Sequence, residues 1–348
     1  MSRKEKRRLE RLKKARQRKR ILRCFIIIAV IFASYNRFLK NENKISNHIN
    51  KEITPKKETT IEQVDETIET AINEKYEIIE YESEEKNDEK YIMVSYNDEL
   101  IEESQEVKEI AERYIQNKKL SEENFGFFYY NPNNQKYYFY NADKYFTAAS
   151  TIKVPLAIVY YDKINAGEIS KDTTLLYNAE DYEEGSGATS SRYKPGNYIP
   201  VSYLLEQMIV NSDNTATQIL KKGLGEKDTA YRNFITKYAN RTLKSDFYIE
   251  NVITPGYGYD VIKYLWTYQE NYTELIEYMK KSSGGGYLKK GITTCEIAHK
   301  YGSYEGNIHD YGIVYSKENY LIGIFTKGVS NAENLISELN KEILKLHE

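Results

Sequence analysis

Ser150 and Lys153 stand three residues apart in TAASTIKVPLAIVYY, positions 147–161, immediately before an unbroken apolar run. On a helix, positions i and i+3 share one face about a turn apart, so the hydroxyl and the amine are expected to point the same way. Pro155 has no N–H, and its ring would clash with the carbonyl of Thr151 in a helix running through both. The helix should therefore begin very close to Ser150. That puts the hydroxyl at the positive end of the helix dipole, where negative charge is favoured. The run Val154–Tyr161 buries the helix, and a lysine at the edge of such a core is desolvated, which lowers its pKa. A neutral amine one turn from a hydroxyl can take its proton, making serine a nucleophile without histidine. Alone the pair is a weak signal, because an N-cap serine followed by a solvated lysine has the same letters.

Two further polar clusters give the pair company. LLEQMIVNSDNTATQIL carries Ser212-Asp213-Asn214 between two helical apolar runs, the pattern of a loop lining a cleft. EIAHKYGSYEG carries Lys300-Tyr301-Gly302 on a predicted strand, where a glycine lets a ligand lie close to backbone. Lys289-Lys290-Gly291 has similar letters but sits in a glycine-rich loop outside that strand, so Lys300 is preferred.

The elements that must position these residues follow from periodicity. EVKEIAERYIQNKKL is amphipathic, with Val107, Ile110, Ala111, Tyr114 and Ile115 on one face. NFGFFYY and KYYFYN read as strands separated by the turn-rich NPNNQ. A mostly helical middle runs to about Lys280. EIAHKYG, DYGIVYS and YLIGIFTKG read as strands again, closed by the amphipathic AENLISELNKEILKLHE. The expected class is α+β: an antiparallel sheet with strands from both ends of the domain, flanked by helices, with an inserted all-helical subdomain.

The start of the chain is different in kind. Residues 1–23 carry 13 basic residues against Glu5 and Glu10, a net charge of +11, so the other 325 residues carry −13 within a chain of net −2. CFIIIAVIFASY, positions 24–35, is uncharged, and the apolar stretch extends over about 21–39 if Arg23 and Arg37 snorkel. That is short but sufficient for a spanning helix. Basic residues on its N-terminal side assign that side to the cytoplasm. The long basic region and the absence of an A-x-A-like site favour an uncleaved anchor over a cleaved signal. The adjacent apolar run argues against a nucleic-acid-binding arm. The organisation expected is a basic cytoplasmic segment over 1–20, a transmembrane signal anchor over 21–39, an acidic flexible tether over 40–105 and a catalytic domain over 106–348. The localisation that follows is the plasma membrane, single-pass, with the catalytic domain extracytoplasmic.

Cys24 and Cys295 are not expected to pair, and His48, His299, His309 and His347 lack zinc-site spacing, so no metal is expected. GSGATSS and SGGG lack the strand–loop–Lys context of a phosphate loop, and no cofactor is expected.

Taken in order, S-x-x-K, S-D-N and K-Y-G resemble the three motifs of the serine penicillin-recognising enzymes, most closely the class A β-lactamases, over roughly residues 106–348. KINAGEISKDTTLLY, GSGATSS and NSDNTATQILKKGLG also look like that family's connecting segments. The resemblance implies Ser150 as nucleophile, Lys153 as its proton acceptor and Ser212 as proton relay to the departing nitrogen. It implies Asn214 as a hydrogen-bonder of the substrate amide, Lys300 as the charge for its carboxylate, and Tyr301, Gly302 and Ser303 as further substrate-binding positions. Backbone N–H groups of Ser150 and Ser303 would form an oxyanion hole, and Asp213 would be a structural hydrogen-bonder.

Two departures bear on chemistry. Tyr301 stands where the family has a small hydroxyl residue; pointing into the cleft, it would narrow the carboxylate pocket or lend its own hydroxyl. The stretch between Ser212 and Lys300 is short for the family, leaving no room for the usual loop that holds a deacylating glutamate. Glu250, followed at once by VITP, is a doubtful base. The expectation is an enzyme that acylates readily and deacylates slowly. Its substrate would be a β-lactam, or peptidoglycan peptides if it is a D,D-peptidase; a non-catalytic wall-binding or sensor module is the third reading.

Overall fold

A computed structural model describes residues 102–348, apart from 226, 228, 284 and 285. The expected cytoplasmic segment, the anchor and nearly all of the tether lie outside the described residues. Among the described residues no helix is long and apolar enough to cross a membrane.

The chain opens with α1 (Gln105–Asn117), β1 (Phe125–Tyr130), β2 (Tyr137–Tyr140) and β3 (Phe146–Thr147). A 3₁₀ turn at Ala149–Ile152 leads into α2 (Lys153–Asn165). The middle holds β4 (Thr174–Leu176), α3 (Thr189–Arg192), β5 (Tyr198–Pro200), α4 (Val201–Val210), α5 (Asn214–Gly223) and α6 (Ala230–Ile235). It continues through β6 (Val252–Ile253), α7 (Pro255–Thr267) and α8 (Thr273–Lys280). The last elements are β7 (Glu296–Tyr304), β8 (Asn307–Tyr315), β9 (Tyr320–Lys327) and α9 (Ala332–Leu344).

Five strands make one antiparallel sheet in the order β2-β1-β9-β8-β7. The two ends of the domain meet where β1 pairs with β9, Phe127 opposite Ile324. Both faces are covered, which is why FGFFYY is apolar throughout and buried at every position. On one face Phe125, Phe127 and Ile322 pack with Val107 of α1 and with Leu335, Leu339 and Ile343 of α9. On the other, Phe128, Tyr311 and Phe325 join the core formed by α2, α4 and α7. β7 is the edge strand beside the helical part.

The described residues start at Glu102, inside the stretch expected as tether. The backbone of Glu102 and Ser104 pairs with Tyr137, and the Ser104 side chain caps α1 by accepting from Val107 N. The helical middle also contains two small ribbons, β4 with β5 and β6 with β3. Runs of two or three residues are too short to show alternation in a sequence.

Candidate active site

Ser150 lies on the 3₁₀ turn and Lys153 is the first residue of α2, its amide donating to the Ser150 carbonyl. Pro155 falls in the first turn, where its missing N–H is harmless. The Thr151 carbonyl is bonded instead by the Tyr311 hydroxyl at 2.8 Å, which ties the turn to β8. Ala149, just before Ser150, has φ +48, a left-handed conformation unfavourable for a residue with a Cβ. Such strain persists only where the surroundings enforce it. β7 enforces it here: a Cβ on Gly302 would meet both Ser150 N and the Ala148 carbonyl at 3.0 Å. The glycine is therefore needed for the close approach of the turn that carries Ser150. The Ser150 side chain is half-buried.

Lys153 is 3% exposed. Its Nζ donates to Ser212 O at 2.7 Å, Asn214 Oδ1 at 2.8 Å and Ser212 Oγ at 3.2 Å. Desolvation holds its pKa well below the ordinary lysine range, and the charges of Lys300 and Lys221 push the same way, opposed by Asp213 and Glu183. The Ser212 hydroxyl also accepts from Lys300 Nζ, at 3.0 Å. With both lone pairs so occupied, its own proton is left to donate into the cleft. Lys300 is fully buried, and burial brings its amine down to about 7.

The loop that carries Ser212 is held by the segment around GSGATSS. Ser212 itself adopts φ +54, which turns its carbonyl and hydroxyl onto the Lys153 amine. Asp213 caps α5 by accepting from Ala216 N and binds Thr189 N, each at 2.8 Å. A Cβ on Gly187, at φ +111, would sit 2.0 Å from an Asp213 oxygen, so only glycine fits. Asn214 gives Nδ2 to the Glu184 carbonyl at 2.9 Å while its Oδ1 takes Lys153. Nothing in the sequence marks Glu183 and Glu184 as site positions; the signal nearest to them is the paired glycines of GSGATSS.

Tyr301 does not stand across the cleft. Its ring stacks on Tyr287, centroids 4.9 Å apart at 22°, and lies 4.3 Å from Lys300 Nζ, so it covers the amine from the sheet edge. Ser303 is exposed on the same strand. Lys289-Lys290-Gly291 lies in and after a 3₁₀ turn, away from this cluster, and Gly291 abuts Lys341.

Glu250 is exposed between a 3₁₀ turn and β6, and it acts electrostatically on Arg232, while the carboxylates acting on Lys153 are Asp213 and Glu183. The loop bearing it is pinned elsewhere: Arg232 Nη1 donates to Phe247 O at 2.7 Å, and Arg241 Nε donates to the buried Asp260 at 2.8 Å. Among the described residues, no group of three or more His, Cys, Asp or Glu is placed to hold a metal ion.

The sheet, its covering helices and a serine–lysine pair under a second serine define a serine hydrolase of the acyl-serine kind. Residues 104–346 match the beta-lactamase enzyme family, and the chain belongs to it. No curated protein matches the chain. Among solved structures it is similar to PBP-A, at 19% identity and TM-score 0.60, covering 68% of this chain and 95% of that one. A β-lactamase from Sphaerobacter thermophilus is 21% identical, TM-score 0.57, covering 69% and 95%. A PBP-A variant described as an acyl-enzyme complex with penicillin G is 17% identical, TM-score 0.59, covering 69% and 96%. At these identities the likeness is one of fold.

Proposed function

We propose that the chain is a penicillin-reactive serine hydrolase whose nucleophile is Ser150 and whose acyl-enzyme is long-lived. The observation that carries this is the Lys153 amine, buried, disfavoured as a cation and one turn from Ser150. Once neutral, it gives two N–H bonds to Ser212 O and Asn214 Oδ1 and keeps a lone pair for the Ser150 proton. The Ser150 oxygen then attacks the lactam carbonyl. Ser212 passes its proton to the departing nitrogen and is reprotonated through the amine network. Lys300 binds the substrate carboxylate, and the amides of Ser150 and Ser303 hold the oxyanion, a contribution of about 3 kcal/mol per donor. Glu250 is exposed and acts on Arg232, with no effect on Lys153, so on this reading it does not serve as the base for water attack on the ester. The penicillin acyl-enzyme of the PBP-A variant supports a β-lactam as acylating substrate.

The same missing base favours a second reading, a D,D-peptidase acting on peptidoglycan stem peptides, since such an enzyme also stalls as a penicilloyl ester. The run at 21–39 would hold the domain outside the membrane, near that substrate. A fluorescent penicillin followed by denaturing electrophoresis tests the acylation: label on wild type and none on Ser150→Ala is expected. An unlabelled wild type favours the binding module. Release of D-alanine from a stem peptide separates the two catalytic readings.

A further inference from the structure

On the site side of the sheet lies one buried imidazole that the chemistry above leaves without a part. The register sets Lys300 of β7 opposite Tyr311 of β8, and Gly302 opposite His309. Residues directly opposite on an antiparallel pair share a face, and alternate residues of a strand return to it, so these four positions lie together. Against that face sits the turn that carries Ser150. Gly302 abuts Ser150 N and the Ala148 carbonyl, and the Tyr311 hydroxyl donates to Thr151 O at 2.8 Å.

His309 holds the other end of the turn. Its side chain is fully buried, with Nδ1 3.0 Å from Thr326 N and Nε2 2.9 Å from Thr147 O. Burial brings its pKa down to about 4, so near pH 7 the ring is neutral, with one donor and one acceptor. An amide N–H only donates and a carbonyl only accepts, which puts the proton on Nε2. Thr326 N therefore donates to Nδ1, and Nε2 donates to Thr147 O. The rings of Phe146 and Phe325 lie 5.5 Å and 5.2 Å from the imidazole, centroid to centroid, and fix its aim.

Between the two held carbonyls stand Ala149, at φ +48, and Ser150. The strand that enters the turn, β3, pairs through Phe146 and Thr147 alone, with Ile253 and Val252. A left-handed residue with a Cβ persists only where its surroundings over-determine it, and so short a ribbon does not do that unaided. The Ser150 N–H belongs to the peptide plane that follows Ala149, so the Ala149 backbone angles set its direction. A core role would explain the burial of His309; the place of its acceptor, three residues before Ser150, gives the ring a further one.

We propose that His309 is a positioning residue for Ser150: by holding Thr147 O it keeps Ala149 in its left-handed conformation and so aims the Ser150 amide and hydroxyl at the substrate carbonyl. This rests on the reading of Ser150 as the nucleophile.

Two substitutions divide the bonds of His309. His309→Asn offers an acceptor where Nδ1 stood but does not reach Thr147 O, whereas His309→Gln offers a donor where Nε2 stood. Acylation of the full-length chain by a fluorescent penicillin, followed over a range of concentrations, separates the limiting rate from the half-saturating concentration. His309→Asn is expected to lower the limiting rate roughly ten- to hundredfold with the half-saturating concentration nearly unchanged, because the misplaced amide serves the developing oxyanion. His309→Gln is expected to recover most of that rate. A second readout needs no acylation: the amide resonance of Ser150 in protein grown on 15N-serine, assigned by its loss in Ser150→Ala. It should move in His309→Asn and return towards its wild-type position in His309→Gln. Should His309→Asn fail to fold, His309→Phe, which fills similar space and makes neither bond, is read in its place. A wild-type limiting rate in that variant, or equal losses in it and in His309→Gln, would overturn the proposal, and so would a resonance that does not move. An unlabelled wild type overturns the acylation reading only, and the resonance then still decides whether His309 sets the turn.

Discussion

Around Ser212, two lysine amines, an asparagine amide and a backbone carbonyl converge within hydrogen-bonding distance, and Lys153, Ser212 and Lys300 are all buried. Along the loop at 239–251 the fixed points are of another sort. Asn240 N and Arg241 hold Asp260, Lys244 N meets the Tyr145 hydroxyl, and Arg232 holds the Phe247 carbonyl, while Asp246 and Glu250 face solvent. One region gathers polar atoms around a buried amine; the other uses polar atoms to hold backbone. On the proposed reading, a site so divided makes an ester and is short of the means to break it with water.

Mutations sharpen that contrast in order of effect. Ser150→Ala should abolish covalent labelling by penicillin outright. Lys153→Met should slow acylation by roughly a hundred- to ten-thousandfold, the range of general base catalysis, with the fold retained because a desolvated amine is removed. Arg241→Ala should do the reverse. It leaves the buried Asp260 without its cationic partner and with only the Asn240 amide, a loss of roughly 3–5 kcal/mol in a urea titration, while acylation of the folded protein changes by no more than a few-fold. Glu250→Gln should leave the rate of acyl-enzyme decay unchanged, as followed by mass spectrometry.

Lys300 gives a pH signature. Its pKa falls from the ordinary 10.5 to about 7 on folding. Below about 7 the amine is charged in folded and unfolded chains alike, and the fold bears the full desolvation penalty. As pH rises towards 10.5 the unfolded chain binds more protons than the folded one, so stability climbs. Urea midpoints of wild type and Lys300→Met should therefore differ most at acid pH, with the variant the more stable, and converge as pH rises.

Much of this site was legible in the sequence because its motifs sit at the ends of strongly patterned elements. Pro155 fixed where α2 could begin, and the apolar runs flanking Ser212-Asp213-Asn214 marked α4 and α5. The sheet followed from long alternating or fully apolar runs at both ends. What was hidden is tertiary. Ala149 and Ser212 adopt left-handed conformations that residues with a Cβ do not announce, and β3 and β6 are too short to show a period. The place of Tyr301 depended on a partner, Tyr287, outside its own strand. The paired glycines of GSGATSS fit against Asp213 and Asn214 only once those side chains are in place.

How long the ester at residue 150 survives is the question closest to the core of this account. Intact-mass spectrometry of the full-length chain after a brief penicillin pulse and removal of free drug would follow it directly. A single adduct persisting for many times the acylation half-time is the predicted result. Rapid return to the unmodified mass, with many drug molecules consumed per chain, would contradict it.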